Sequence, residues 1–224
     1  MLYHWYEATH AMLSPYRAMA DATKAALTNP INPFAQFPLT KQIAAAAELF
    51  ERTTRRYGKP PFNLPTTLVG GERVGVTEKV VWQRPFCDLI HFQRALPQRH
   101  KPDPKVLIVA PMSGHYATLL RGTVEAFLPG HEVYITDWVD ARLVPLMAGR
   151  FDLDDYIDYV IAMLQMLGPE THVMAVCQPS VPVLAAAARM EAEGDACAPR
   201  SMTLMGGPID TRRSPTAVNC LAME

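Results

Sequence analysis

His172-Val173-Met174-Ala175-Val176-Cys177-Gln178-Pro179-Ser180 reads as an apolar strand that stops at a cysteine and turns at once into a helix. A tight strand-to-helix turn projects the side chain at its apex out of the sheet and leaves backbone N–H groups beside it. A thiol at that apex is therefore a nucleophile candidate. Free cysteine also packs well as a small hydrophobe, so position alone leaves a buried core role open.

The sequence around this corner repeats one pattern. Lys105 to Ala110 is a strongly apolar strand ending in the small-residue turn Pro111-Met112-Ser113-Gly114-His115. Tyr116, Leu120, Val124 and Phe127 then mark one helical face, closed by Pro129-Gly130. Glu132 to Thr136 predicts the next strand. Asp152 suits an N-cap for a helix whose apolar face is Leu153, Ile157, Val160, Ile161, Leu164 and Leu167, stopped by Gly168-Pro169. Asp154, Asp155 and Asp158 read as a first turn favoured by the helix dipole rather than as a metal site. After the corner, a helix runs from about Pro179 to Glu193, and a last strand spans Ser201 to Met205. Strand and helix alternating in this way predict an α/β fold, with a parallel sheet and helices on both faces.

Upstream of residue 105 the pattern differs. Apolar positions from Leu2 to Leu27 recur at helical spacing, with Pro15 as a break, and Asn29 to Pro38 reads as a proline-rich loop. Thr40 is the expected cap of a helix running to Tyr57. Pro60 to Pro65 and Gly70-Gly71 read as a linker, so residues 1–65 are expected to form a helical N-terminal extension and residues 66–224 the main domain. Val74 to Trp82 and Cys87 to Phe92 predict two strands at a sheet edge. His91, within the second, reads as structural.

Whole-chain properties narrow the function. Among 224 residues, 21 Lys and Arg balance 22 Asp and Glu for a net charge of −1, which gives no positive excess to neutralise a phosphate backbone and speaks against a nucleic-acid partner. The four cysteines, Cys87, Cys177, Cys197 and Cys220, form no C-x-x-C pair and no zinc-like spacing, so neither metal nor cofactor is expected. No stretch reaches transmembrane length, and the first residues lack the basic-then-apolar order of a secretory signal. The expectation is a cytoplasmic protein.

At the corner, Ala175-Val176-Cys177-Gln178-Pro179 stands where an α/β-hydrolase carries G-x-S-x-G. Alanine meets the demand for a small residue two before the nucleophile, cysteine replaces serine, and proline replaces the second glycine. The context adds weight, because the turn follows the third strand of the βα series. The expected oxyanion donors are the N–H of Gln178 and one from the loop after the Lys105 strand, with Met112 the first choice and Ser113 the second. His115 lies in the same loop. A thiol nucleophile needs a base, and no histidine follows His172. Asp210, just after the last strand, reads as a turn residue.

Longer runs carry a resemblance. Met1 to Tyr16, His115 to Glu125, His131 to Trp138, Val176 to Ser180 and Leu204 to Arg213 make the chain resemble the intracellular polyhydroxybutyrate (polyhydroxyalkanoate) depolymerases over essentially its full length. The resemblance implies an α/β-hydrolase fold, with residues 66–224 as its N-terminal part, and hydrolysis of 3-hydroxybutyrate ester bonds in a stored polyester by a Cys-Asp-His triad. Only the cysteine carries over, onto Cys177. The family's aspartate and histidine belong to a C-terminal part that this chain does not reach, so it resembles a truncated form ending at Glu224 with little activity. The implied partners are polyhydroxybutyrate polyester or oligomers and the storage-granule surface. Two other readings stand beside this one. A polyhydroxyalkanoate synthase-like acyltransferase would be expected to keep glycines around the cysteine, which Pro179 does not support. A non-catalytic granule-associated protein would bind polyester through its aromatic N-terminal arm.

Overall fold

The alternation expected from residue 105 onward is present in the computed structural model, which describes residues 2–97, 100–112 and 116–222. Between Gly58 and Lys59 the chain divides into two compact units.

The first unit is helical: α1 (Leu2–Met12), α2 (Ser14–Thr28) and α3 (Pro38–Thr54). Pro15 sits in the first turn of α2, where its missing N–H costs nothing, and so starts a helix rather than kinking one. Pro38 does the same for α3, which begins there and not behind a Thr40 cap; Phe37 takes the cap position without a side-chain bond. Ala20 of α2 and Ala44 of α3 are buried. The Arg17 guanidinium donates to the Thr54 and His10 carbonyls at 3.1 and 3.0 Å, tying all three helices together.

The second unit is built on seven strands: β1 (Thr66–Val69), β2 (Glu72–Arg84), β3 (Cys87–Arg94), β4 (Lys105–Val109), β5 (Glu132–Trp138), β6 (Thr171–Val176) and β7 (Ser201–Met205). Their order across the sheet is β1-β2-β3-β5-β4-β6-β7. The first three strands are antiparallel, β3 also meets β5 antiparallel, and β5, β4, β6 and β7 run parallel. Gly70 and Gly71, expected in a linker, instead close the β1–β2 hairpin with φ of +59° and +89°. That is the left-handed pair a two-residue hairpin turn needs, and glycine reaches it without strain. Phe62 and Leu64, in the same proline-rich stretch, are buried in the core.

Alternation along β4 sends its side chains to two cores. Leu107 and Val109 pack on one face with α5 (Leu153–Leu167) and α6 (Ser180–Ala192). Val106 and Ile108 pack on the other with α4 (Arg121–Phe127), the 3-10 turn before it, and Phe62. Asp152 caps α5 in a capping box with Asp155, as its sequence position predicted. A short helix not foreseen from the sequence, α7 (Ala217–Ala222), follows. The result is a mostly parallel mixed sheet with helices on both faces, an α/β-hydrolase-like fold.

Candidate active site

The corner at the end of β6 takes the strained form. Cys177 has φ of +68°, a left-handed conformation that costs a non-glycine residue ~1–2 kcal/mol. Its N–H donates to the Met205 carbonyl at 2.8 Å, carrying the β6–β7 ladder one residue past the strand. Its own carbonyl accepts from Ser180 N–H at 3.1 Å, closing the turn into α6. Held at both ends, the residue presents its thiol to solvent, and Gln178 beside it is exposed as well. Asn63, Glu170 and Ser214 also have positive φ, but none of them joins a strand directly to a helix.

A third segment closes on the corner. Gly207, just past β7, lies so near α6 that an added Cβ would overlap the Ser180 side chain and come within 2.9 Å of the Cys177 carbonyl oxygen. Only glycine fits there. The Ser180 hydroxyl in this contact is fully buried and has no partner among the described residues.

The loop after β4 supplies the opposite wall. Ala110 is pinned on both sides: its N–H donates to the buried Thr136 hydroxyl, and its carbonyl accepts from the Trp138 indole N–H, each at 2.8 Å. Trp138 is itself wedged among Phe151, Tyr156 and Tyr159. Two residues on, the Met112 N–H, the expected first-choice oxyanion donor, points toward the corner. It donates to Gln178 Oε1 at 3.1 Å. The fold thus brings Cys177, Gln178 and Met112 together, whereas Ser113 and His115 lie outside the described residues. Sequence reasoning missed Thr136, Trp138 and Gly207, which act through loops far apart in the chain.

The remaining thiols are placed differently. Cys87 is fully buried, and burial pushes its thiol well above the ordinary value. Cys197 is partly covered and Cys220 is exposed on α7. The described histidines of this unit are engaged elsewhere: His91 with Glu132, His100 with Asp103, His131 with the Phe127 carbonyl and His172 with Ser201. Asp210 accepts from the Arg212 backbone and side chain, the turn role read from sequence, and these bonds hold its carboxyl below the usual range. A groove of about 210 Å³ lined by Phe127, His131, His172, Ser201 and Thr203, among others, includes none of the corner residues. Among the described residues, no cluster of His, Cys, Asp or Glu is arranged to hold a metal ion, and no helix is long and apolar enough to cross a membrane.

No family model matches the chain, and no curated protein matches it. Among solved structures it is similar to a naproxen esterase (carboxylesterase NP) from Bacillus subtilis, at 14% identity over 58% of this chain and 42% of that one, with a TM-score of 0.40. It is similar to a thioesterase domain from the curacin biosynthetic pathway, at 16% identity over 66% of this chain and 50% of that one, with a TM-score of 0.44. A fungal esterase from Rhizomucor miehei is 13% identical over 91% of this chain and 62% of that one, with a TM-score of 0.45. The chain thus spans between 42% and 62% of the length of these three proteins.

Proposed function

We propose that this chain carries the nucleophile of a carboxylic ester hydrolase, and that its substrates are the 3-hydroxybutyrate ester bonds of a storage polyester. One observation carries the first part: an exposed thiol held at φ of +68° between a parallel strand and a helix, next to a residue, Gln178, whose side chain accepts from the Met112 N–H of a neighbouring loop. Backbone strain that the surrounding structure over-determines is the mark of a built site. The second part is supported by the sequence runs around His115, His131, Val176 and Leu204 that resemble polyhydroxybutyrate depolymerases.

In this reading the Cys177 thiolate attacks the ester carbonyl carbon. An S–C bond forms while the carbonyl electron pair moves onto oxygen, where the Gln178 and Met112 N–H groups receive the negative charge. Collapse of that intermediate breaks the C–O bond, and the leaving alkoxide takes a proton from water. A water molecule then adds to the thioester and releases the 3-hydroxy acid and the thiol. The described histidines of this unit bond elsewhere, so none of them stands ready to move a proton in these steps. That forgoes the ~10²–10⁴-fold contribution of a positioned acid–base group. The chain is therefore expected to acylate readily with activated esters and to turn over polyester slowly, at the surface of a granule or on soluble oligomers.

The test is acylation by p-nitrophenyl butyrate, read as p-nitrophenolate release and as an acyl adduct located by peptide mass mapping. One adduct per chain on Cys177, absent in Cys177→Ala, is the expected result. An adduct that maps to Cys220 with equal yield, or survives Cys177→Ala, would sink the assignment. Release of 3-hydroxybutyrate from soluble oligomers at a rate no greater than that of the alanine variant would remove the polyester part alone.

A further inference from the structure

The Met112 N–H cannot receive an oxyanion while it is donating to Gln178. The acceptor, Gln178 Oε1, is an amide carbonyl oxygen at 3.1 Å, chemically close to the ester carbonyl that the proposed reaction would bring to the same place. Gln178 directly follows the thiol-bearing residue, so its side chain reaches across the mouth of the corner. On the opposite side, Met112 is fixed by the two bonds to Ala110 from Thr136 and Trp138. The Gln178 side chain is exposed and long, with three rotatable bonds to give way.

We infer that the Gln178 side chain is a displaceable plug of the oxyanion site: it occupies the Met112 donor in the resting chain and is expelled by the substrate's carbonyl oxygen. This inference rests on the ester-hydrolase reading of Cys177. The plug keeps the Met112 donor occupied until substrate arrives and sets a threshold that only an acyl group able to replace a carbonyl acceptor can cross. Its cost appears in affinity. A substrate that must first open the site binds more weakly by the fraction of molecules already open. A net hydrogen bond of ordinary strength corresponds to a closed-to-open ratio of roughly 2- to 12-fold.

The experiment measures single-turnover acylation by p-nitrophenyl butyrate as a function of ester concentration in the wild-type chain, Gln178→Met, Gln178→Ala and Gln178→Glu. Removing the acceptor in the Met and Ala variants lowers the half-saturating ester concentration by about 3- to 13-fold. Gln178→Glu at neutral pH places an anionic acceptor on the same donor, so it acylates more slowly than wild type. A side chain that served only to tether the two loops would give the opposite order, with Ala and Met below wild type. Iodoacetamide alkylation of Cys177, which needs no oxyanion donor, proceeds near the wild-type rate in the uncharged Gln178→Met and Gln178→Ala variants, whereas the carboxylate of Gln178→Glu slows it by disfavouring the thiolate and so is left out of this control. A parallel change in alkylation would place the effect on the thiol and overturn the plug. Amide exchange at Met112 reads the contact directly, faster in Gln178→Met, and unchanged exchange also overturns it. Where acylation depends on Cys177 but half-saturation does not move in Gln178→Met, the plug fails and the nucleophile stands. Where no acylation depends on Cys177, the ester-hydrolase reading fails and the plug fails with it.

Discussion

At the amino ends of the parallel strands, the Arg94 guanidinium is fully buried and met by the carboxylates of Glu132 and Asp103 at 2.6 and 2.7 Å, with His91 and His100 bonded behind them. At the carboxyl ends, Cys177 stands exposed on a backbone that most residues avoid, and the contacts around it are single hydrogen bonds between loops. One end gathers its charged groups into ion pairs within the fold, with Arg94 Nε alone of the guanidinium nitrogens lacking a partner among the described residues. The other holds an exposed thiol in an unfavourable conformation, with the Met112–Gln178 hydrogen bond next to it in sequence. The difference separates where the fold is stabilised from where it tolerates strain, since local strain persists only when packing elsewhere exceeds it.

The largest effect on this contrast is expected from Arg94→Met. Removing the cation leaves Glu132 and Asp103 facing each other with part of their solvation gone, and breaking a buried pair from one side costs ~3–5 kcal/mol. Urea unfolding should show that loss while iodoacetamide labelling of Cys177 in the folded state is unaltered. A loss below ~1 kcal/mol would mean that the network is no stronger than surface pairs. Acid tests the same end. The hydrogen bond from His91, then those from Arg94, hold Glu132 below its ordinary value of 4.5 against the opposing effect of burial. For Asp103 burial pushes upward, but the bonds from His100 and Arg94 together outweigh it and leave it below 3.8. A carboxyl lowered in the folded state contributes stability that is present above its unfolded value and lost as pH falls through the folded one. Stability should therefore fall as pH drops below about 4.5, and Glu132→Gln should flatten that fall, as followed by unfolding midpoints across the acid range.

Gly207→Ala probes the seam at the carboxyl end. Its Cβ meets the Ser180 side chain and the Cys177 carbonyl, so either α6 or the loop after β7 must move. Overpacking of this kind costs typically ~1–3 kcal/mol. Unlike Arg94→Met, it should also slow acylation at Cys177, because the carbonyl it presses on belongs to the corner itself. The double variant Gly207→Ala, Ser180→Gly should recover part of both losses. Recovery of stability without acylation would separate packing from chemistry.

The corner and the βα series were legible in the sequence because they are local. Four apolar residues before Cys177, a proline two residues after it and caps at fixed offsets are all short-range signals. Gly70-Gly71 was misread because two glycines serve a flexible link and a hairpin equally well, and the strands on either side decide between them. Pro38 against Thr40 turned on which of two good helix starters lies first. What could not be read joins distant positions. Thr136 and Trp138 clamp Ala110, Gly207 fits against Ser180, and Arg94 collects Asp103 and Glu132. Each of these needs the strand order before it has meaning. The Gln178 side chain is the sharpest case: its backbone N–H was expected at the site, while its carboxamide, bonded to Met112, follows only from the distance between two loops.

The smallest effect expected is also the most direct measure of strain at the corner. Cys177→Gly removes the Cβ that makes φ of +68° unfavourable, a relief of ~1–2 kcal/mol. Against it stands the greater freedom of glycine in the unfolded chain, worth ~0.5–1 kcal/mol. The exposed thiol buries little surface that would be lost, so relief should win by roughly 0.5–1 kcal/mol. Glu170→Gly, at φ of +63° in the turn before β6, is the control, since the same backbone balance applies there without any chemistry, less the exposed Glu170–Arg200 ion pair at 3.6 Å, worth ~0–1 kcal/mol, which Arg200→Ala measures separately. If both variants gain stability by urea unfolding and only Cys177→Gly loses acylation, the corner retains a non-glycine residue for its thiol at the expense of stability. If Cys177→Gly is instead destabilised while Glu170→Gly gains, the cysteine side chain is packing against the fold, and the contrast between the two ends of the sheet loses its strained half.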